Sequence, residues 1–599
     1  MGIAVRFVGD NARRNSPSMK LRLFHVLCLA APAWLSAQSP IPAPDLWRGE
    51  HRIIDLHMHI NASEERFARA VKIMDAAGIG IGVNLSGGTV THSPGEKSEF
   101  ERVKEMADRL HPGRFVHYMN LDYAGWNDPD FAERAAAQIE EGHRLGAAGF
   151  KEYKRLGLFL RNARKELIKI DDAKLHGVWR KCGELGMPVS IHVADPRAFW
   201  LPFDENNERW KELKDHRSWW FGDATKYPPR EELLAALNRV IEKHAKTTFV
   251  CVHFANNSED IDWVDRALDE HPNMNADLAA RIPELGRLDP DKLRRLFTKH
   301  AGRIFFATDF MIYDKLILGS GGDAERPTDE DALTFYKKCW RWLETSDRDW
   351  PHMTPIQGDW NINSIALPPD VLRKIYFDNA RQLLARALPL PVMKATQIAR
   401  DFAPDGRLDE PAWQRAAPVR LEYQSNDASA RPDLSTTVRA LWSHDFLYLG
   451  YECPFTKLSV FTPAQKEERV GLWENDVVEA FIGSEIEQPA RYTEYEWAPN
   501  GDWLDLSCDP ANKDFGWNSG MESAASVDEA AHVWRIEVRI PMRALAEAAP
   551  QPGARWRINF YRHDTTTRGF LAFSPTLTGT FHTPARFGWL EFNDSPAVR

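Results

Sequence analysis

The most constraining feature of the sequence is one pattern that occurs eight times between residues 53 and 309. Each copy is a short apolar run rich in β-branched residues, followed by a polar loop and an amphipathic helical stretch. Strands that alternate with helices predict a parallel sheet covered by helices, and eight such units predict a closed (β/α)8 TIM barrel. The predicted strands are 53–60, 79–85, 115–121, 148–153, 188–193, 248–254, 274–279 and 304–309.

A second domain is predicted because the chain has 599 residues and its pattern changes near residue 386. The prolines of segment 388–391 indicate a short, stiff linker. After it, apolar residues alternate with charged ones, most clearly over 533–540, which is typical of a half-buried strand. We therefore predict a barrel over residues 38–390 and an all-β antiparallel sandwich over residues 391–599.

The first 37 residues are predicted to be an N-terminal extension and a signal peptide. Lys20 and Arg22 precede an apolar run at 23–35, and small residues follow at 36–37, the order typical of a secretory signal. The apolar run is too short to span a bilayer. We expect a secreted or periplasmic protein with no membrane span after signal removal.

Composition excludes some partners. The net charge is −10, from 76 basic and 86 acidic residues, which argues against nucleic-acid binding. The 22 tryptophans are suited to packing, but also to lining clefts and stacking on sugars. The cysteines after the signal are odd in number and resemble no disulfide framework, so we expect buried free thiols, with a Cys453–Cys508 bridge as the one conceivable pairing.

Four histidines and one aspartate lie at the ends of predicted strands. His57 and His59 end the first strand, and a spacing of two places both on the same face. His192, His253 and Asp309 end the fifth, sixth and eighth strands. Each residue alone is compatible with ordinary hydrogen bonding, but the carboxyl ends of barrel strands meet at one mouth. Together they predict a site for Zn²⁺, Fe²⁺ or Mn²⁺.

These strand ends resemble the amidohydrolase superfamily, in particular its amidohydrolase-related (type 2) branch, over roughly residues 50–387. The resemblance implies that His253 orients or polarises the substrate and that Asp309 acts as the base for the attacking water. It also implies one or two divalent ions, with zinc as the expected metal, held by His57, His59, His192 and Asp309.

The fourth strand leaves the metal count open. Binuclear members of the family place a carboxylated lysine or a glutamate there as a bridge. Phe150 suits the outer, helix-packed face, which turns Lys151 inward as the candidate bridge or substrate contact. Glu152 and Lys154 are its rivals, and an ion pair of Lys151 with Asp309 or Glu152 is the structural alternative.

Two basic residues near the mouth are predicted to bind substrate. Arg281 follows the seventh strand and suits a substrate carboxylate, because its planar guanidinium donates two parallel hydrogen bonds. Pairing with an acidic residue is the alternative for Arg281. Lys154 is the second candidate. The long aromatic segment 195–227 follows the fifth strand and is typical of a lid above the mouth, although part of it forms a local core.

The region after the linker resembles the family 9 carbohydrate-binding modules over nearly all of 395–594. The resemblance implies a sugar held between two indole faces, since a sugar ring presents an apolar C–H surface. Trp473 matches the position most often used for stacking, with core packing as its alternative, and Trp503 and Trp517 are candidates for the opposing ring. The matching stretches are 405–413, 441–448, 473–482 and 555–562.

The sequence thus predicts an exported metal-dependent hydrolase of an amide, ester or lactone bond in a small-molecule or carbohydrate-derived substrate, with a glycan as partner of the C-terminal module. Two alternatives stay open. A decarboxylase or hydratase of the same barrel family would use the same five residues. A non-catalytic glycan-binding protein would have kept the fold without the reaction.

Overall fold

The computed structural model describes residues 42–594, so the predicted signal peptide lies outside the described residues. Within residues 42–594, no helix is both long enough and apolar enough to cross a membrane. All eight predicted barrel strands are present in this part of the chain: β1 (Ile53–Ile60), β2 (Ile79–Asn84), β3 (Phe115–Met119), β4 (Gly149–Glu152), β5 (Val189–Ile191), β6 (Phe249–Cys251), β7 (Met274–Asp277) and β8 (Ile304–Phe305).

The barrel is closed between its last and first strands. Strands β1 to β8 are neighbours in chain order and parallel. The eighth strand continues as β9 (Phe310–Ile312), which pairs in parallel with β1. The amide of Asp309 donates to the carbonyl of His57 at 2.9 Å. The predicted (β/α)8 barrel is therefore confirmed, with the short strands β10 (Leu316–Leu318), β11 (Trp350–Pro351) and β12 (Asn361–Ile362) added after it.

Helices cover the outside of the barrel because each presents an apolar stripe to the sheet. Local signals fix where they begin: Ser98 and Glu101, for example, form a capping box. The longer helices are Glu64–Ala77, Glu99–Leu110, Phe131–Arg144, His176–Leu185, Arg230–Lys243, Ile261–Glu270, Pro290–Lys299 and Asp329–Glu344. The short ones are Ala43–Gly49, Trp210–Leu213, Ile282–Leu285, Pro369–Arg373 and Asn379–Leu383. The short turn Val252–Ala255 follows β6 at the barrel mouth, and the short helix Met542–Leu545 lies in the C-terminal domain.

The C-terminal domain is mostly antiparallel, as predicted. Its strand β13 pairs in parallel with β16 and β26, and the other pairings between its strands are antiparallel. The strands are β13 (Val392–Gln397), β14 (Val419–Leu421), β15 (Tyr423–Gln424), β16 (Thr436–Trp442), β17 (Phe446–Pro454), β18 (Val477–Gly483), β19 (Tyr492–Trp497), β20 (Trp503–Cys508), β21 (Lys513–Asp514), β22 (Glu522–Asp528), β23 (Val533–Pro541), β24 (Arg555–Asp564), β25 (Gly569–Ala572) and β26 (Gly588–Asn593).

A buried carboxylate joins this domain to the barrel. Glu422 is 3% exposed and accepts hydrogen bonds from Arg52 at 2.6 Å and from Arg373 at 2.9 Å. Because the two guanidinium groups outweigh the effect of burial, the pKa of Glu422 falls to about 2. The carboxylate is therefore charged and paired at neutral pH.

The cysteines of the described residues are free thiols. Cys182, Cys251, Cys339, Cys453 and Cys508 are all buried and unpaired. The conceivable Cys453–Cys508 bridge is therefore not formed. Burial raises the pKa of the Cys251 thiol, beside the barrel mouth, well above its ordinary value, which makes it a packing residue rather than a nucleophile.

Candidate active site

The five predicted strand-end residues line one cavity. His57, His59, His192, His253 and Asp309 are all buried and surround a space of about 420 Å³ at the carboxyl ends of the barrel strands. Burial holds the pKa values of His57, His59 and His253 well below the ordinary histidine value. These imidazoles are therefore neutral, which is the form that binds a metal.

Three donor atoms form a triangle at the bottom of the cavity. The Nε2 atoms of His57 and His59 lie 3.1 Å apart, and the Oδ1 atom of Asp309 lies 3.4 and 3.5 Å from them. Ligands at about 2.1 Å from a tetrahedral zinc ion are about 3.4 Å from one another. The triangle therefore fits one face of a zinc coordination sphere.

The outer nitrogens of both histidines are held by hydrogen bonds. His57 Nδ1 lies 2.9 Å from Asp277 Oδ2, and His59 Nδ1 lies 2.8 Å from Ser86 Oγ. Such partners fix the tautomer and the ring orientation of a metal ligand. Both Nε2 atoms consequently present their lone pairs to the triangle.

Asp277 was not among the predicted site residues. It ends β7, and its Oδ1 accepts hydrogen bonds from the amides of His253 at 2.8 Å and Ala279 at 3.2 Å. One carboxylate thus orients His57 and the backbone that carries His253. The available signal was its position, because a carboxylate at the end of a barrel strand faces the same mouth as the histidines.

Replacing Asp277 by asparagine is expected to weaken metal affinity by about 10- to 100-fold. The neutral asparagine amide lacks the negative charge with which the Asp277 carboxylate holds the Nδ1–H group of His57. Competition with a zinc-chelating dye measures the change. Asp265→Asn is the matched control, since Asp265 accepts a hydrogen bond from His300 at 2.7 Å outside the cavity. Equal affinities in the two variants would contradict the role of Asp277.

His253 and His192 stand beside the triangle. His253 has a left-handed backbone (φ 56°) and its Nδ1 lies 2.8 Å from the carbonyl of Ala279, so the neutral ring donates from Nδ1 and keeps a lone pair on Nε2. Donor atoms of His57, His253 and Asp309 all lie within 4.8 Å of one another. The His192 ring packs 4.3 Å from that of His253, and its Nε2 lies 3.2 Å from Asp195 Oδ1.

The three candidates at the fourth strand, Lys151, Glu152 and Lys154, differ in whether they line the cavity and in their partners. Lys151 is buried and lines the cavity. Glu152 accepts a hydrogen bond from Tyr123 at 2.6 Å and is not among the cavity-lining residues. Lys154 also lines the cavity, but it is paired with Asp195 at 2.6 Å.

Lys151 faces the cavity without a direct partner. Its backbone carbonyl accepts a hydrogen bond from Asn120 Nδ2 at 3.3 Å. Within the described residues its ammonium makes no hydrogen bond and no ion pair, so the alternative of a pair with Asp309 or Glu152 is wrong. Its ammonium lies 5.6 Å from the centre of the Tyr153 ring. Burial lowers the pKa of Lys151 to about 8, against the opposing effect of the Asp277 and Asp309 carboxylates. At neutral pH it is a cation available to a ligand.

Arg281 is paired with an acidic residue, which was the alternative for it. It is buried in the cavity wall, its Nη1 donates to the carbonyl of Ala280 at 3.0 Å, and its Nη2 lies 3.7 Å from Asp195 Oδ1. Burial disfavours the ionised form of Asp195, but Lys154 and His192 outweigh it and hold the pKa of Asp195 well below its usual value. Six residues of the segment 195–227 line this cavity, namely Asp195, Phe199, Arg209, Glu212, His216 and Trp219.

A second cavity, of about 520 Å³, lies in the C-terminal domain. Trp473 lines it with Phe515, their ring centres 6.5 Å apart. Trp503 and Trp517 are not among its lining residues, and both pack against the core of the domain. The structure thus brings Trp473 to a cavity and supplies phenylalanine, rather than either predicted tryptophan, beside it.

A closed barrel with histidine and aspartate donors at its mouth is typical of metal-dependent (β/α)8-barrel enzymes. Residues 54–386, more than half of the chain, match the family model described as amidohydrolase. The chain therefore belongs to the amidohydrolase family. Residues 405–595 match the model described as carbohydrate family 9 binding domain-like. Both predicted resemblances are confirmed.

Similar proteins come from several organisms. An "Extracellular protein" of Arthroderma benhamiae is 28% identical over 177 residues, which are 27% of this chain and 78% of that protein. A family 9 carbohydrate-binding module from Caldicellulosiruptor kristjanssonii, solved with cellotriose, is 15% identical and covers 35% of this chain and 96% of its own (TM-score 0.27). A 2,6-dihydroxybenzoate decarboxylase from Rhizobium is 14% identical and covers 55% and 98% (TM-score 0.32).

Proposed function

We propose that this protein is an exported, zinc-dependent hydrolase of an amide, ester or lactone bond, with a C-terminal module that binds a glycan. The triangle of His57, His59 and Asp309 donor atoms carries the proposal, because its edges of 3.1 to 3.5 Å match a tetrahedral metal site. His192 is the further ligand of this proposal, and it would offer Nδ1, because its Nε2 lies 3.2 Å from Asp195 Oδ1. Export is supported by the basic and apolar pattern of residues 1–37 and by the extracellular relative.

A bound divalent ion would supply two things here, a lower pKa for water and polarisation of a carbonyl oxygen. The side chains of the cavity supply the proton transfer and the stabilisation of negative charge. Asp309 is placed to accept the proton of the attacking water and to return it to the leaving group. His253 keeps its Nε2 lone pair and therefore accepts, rather than donates, a hydrogen bond. The ammonium of Lys151 is then the group that stabilises the developing oxyanion.

A lyase is the second candidate, and Lys151 is the observation in its favour. A buried ammonium without a direct ion pair suits a substrate carboxylate as well as an oxyanion. Arg281 and Lys154 add little to such a clamp, because Asp195 already pairs with Lys154 at 2.6 Å and lies 3.7 Å from Arg281. We therefore place hydrolysis first.

Metal analysis combined with a substrate panel tests the proposal. We expect about one zinc ion per chain and turnover among amides, esters and lactones that stops on chelation and returns with zinc. Release of carbon dioxide from aromatic acids, with no hydrolysis in the panel, would establish the lyase instead. A full-length protein that binds no metal would reject both.

A further inference from the structure

Three glutamates form the acidic side of the cavity in the C-terminal domain. Glu479 lies on β18, and Glu494 and Glu496 lie on β19, where a spacing of two places them on one face. Glu479 and Glu496 are direct cross-strand partners. Like charges at such positions repel at close range. Carboxyl groups whose acidity is perturbed in this way are found preferentially at functional sites.

The protein itself supplies too few hydrogen-bond and charge partners for the three carboxyl groups, as Glu496 shows. The residue is 1% exposed, and its Oε2 atom has no hydrogen-bond partner within residues 42–594. Lys513 is the one lysine or arginine among the described residues that line the cavity. Its Nζ lies 3.7 Å from Glu494 and 2.6 Å from His582 Nε2. One cation therefore faces three carboxyl groups.

The other side of the cavity is aromatic and open. Trp473, Phe515 and Phe570 line it and are 43%, 39% and 44% exposed. An aromatic face attracts the C–H surface of a sugar ring and also a cation. Carboxylates opposite such rings add charge-assisted hydrogen bonds to a cationic group.

We propose that this cavity binds an amino sugar, with the protonated amine between Glu479 and Glu496 and the ring against Trp473. The inference rests on the proposed glycan binding of the module and adds the charge of the ligand. An ammonium has three donors, which suits the unpartnered oxygen of Glu496. A divalent cation would balance the charge but would leave the aromatic side without a role.

The acidity of the carboxyl groups agrees with this geometry. Burial, reinforced by Glu494, raises the pKa of Glu496 to about 8. Burial and Glu496 raise the pKa of Glu479 well above its ordinary value. The free cavity therefore holds a proton on Glu496 at neutral pH, and an ammonium ligand displaces it.

Calorimetry on the full-length protein at pH 6.5 tests the inference with glucosamine, glucose and N-acetylglucosamine. We expect glucosamine to bind about tenfold more tightly than either neutral sugar and to release protons, seen as a dependence of the heat on the buffer. Glu496→Gln is expected to abolish the preference. Glu529→Gln, a substitution at an exposed position of the same domain, is expected to keep the preference for glucosamine.

The outcomes are distinguishable. Equal affinity for glucose and glucosamine would overturn the amino-sugar inference and leave glycan binding standing. No heat with any sugar would overturn both. Calcium binding that Glu496→Gln removes, without any sugar preference, would assign the cavity to a metal instead. Thermal unfolding of Glu496→Gln separates misfolding from lost recognition, and Glu479→Gln provides a second variant with the same expectation.

Discussion

Replacing His57 by alanine is expected to strip the metal and to reduce turnover by about 10³-fold or more. The removed Nε2 atom lies 3.1 Å from Nε2 of His59 and 3.4 Å from Oδ1 of Asp309. The substitution therefore leaves only two of the three donor atoms of the triangle. Several kcal/mol of transition-state stabilisation depend on a bound metal, and each 1.36 kcal/mol corresponds to about tenfold in rate. Metal analysis and turnover on the same preparation measure both effects.

His300→Ala is the control for this prediction. His300 is buried beside Asp265 and Asp269, a second group of residues with donor atoms close enough to hold an ion. We expect this variant to keep its metal, because Lys299 already pairs with both aspartates. Full metal content and activity in His57→Ala, or their loss in His300→Ala, would move the metal centre away from the barrel mouth.

The positions of the metal-site residues follow from the sequence because they depend on chain periodicity alone. A spacing of two along β1 places His57 and His59 on one face, and the closure of eight parallel strands brings Asp309 beside them. The amide of Asp309 donates to the carbonyl of His57, which is the contact that such a closure requires. Strand order and strand ends therefore suffice to predict that these residues lie together at the barrel mouth.

The roles of individual atoms did not follow, because they depend on contacts between residues far apart in the chain. The carbonyl of Ala279 decides the tautomer of His253, and the hydrogen bond from His57 Nδ1 to the carboxylate of Asp277 joins residues 220 positions apart. The second aromatic side chain of the sugar cavity depends on loop conformation. Phe515, just after β21, reaches the cavity, whereas Trp503 and Trp517 pack on the core.

Replacing Lys151 by methionine is expected to lower kcat by about 10²- to 10³-fold while one zinc ion per chain stays bound. Methionine keeps the apolar length of the buried stem and removes the ammonium, which within residues 42–594 has no hydrogen-bond or ion-pair partner to leave unpaired. Activity and metal content of the purified variant are measured together, since a substrate-binding lysine affects only the first. Lys174→Met is the control, because Lys174 donates to the carbonyl of Trp126 at 2.6 Å and does not line the cavity. Loss of one of two bound ions in Lys151→Met would instead identify Lys151 as a bridging ligand.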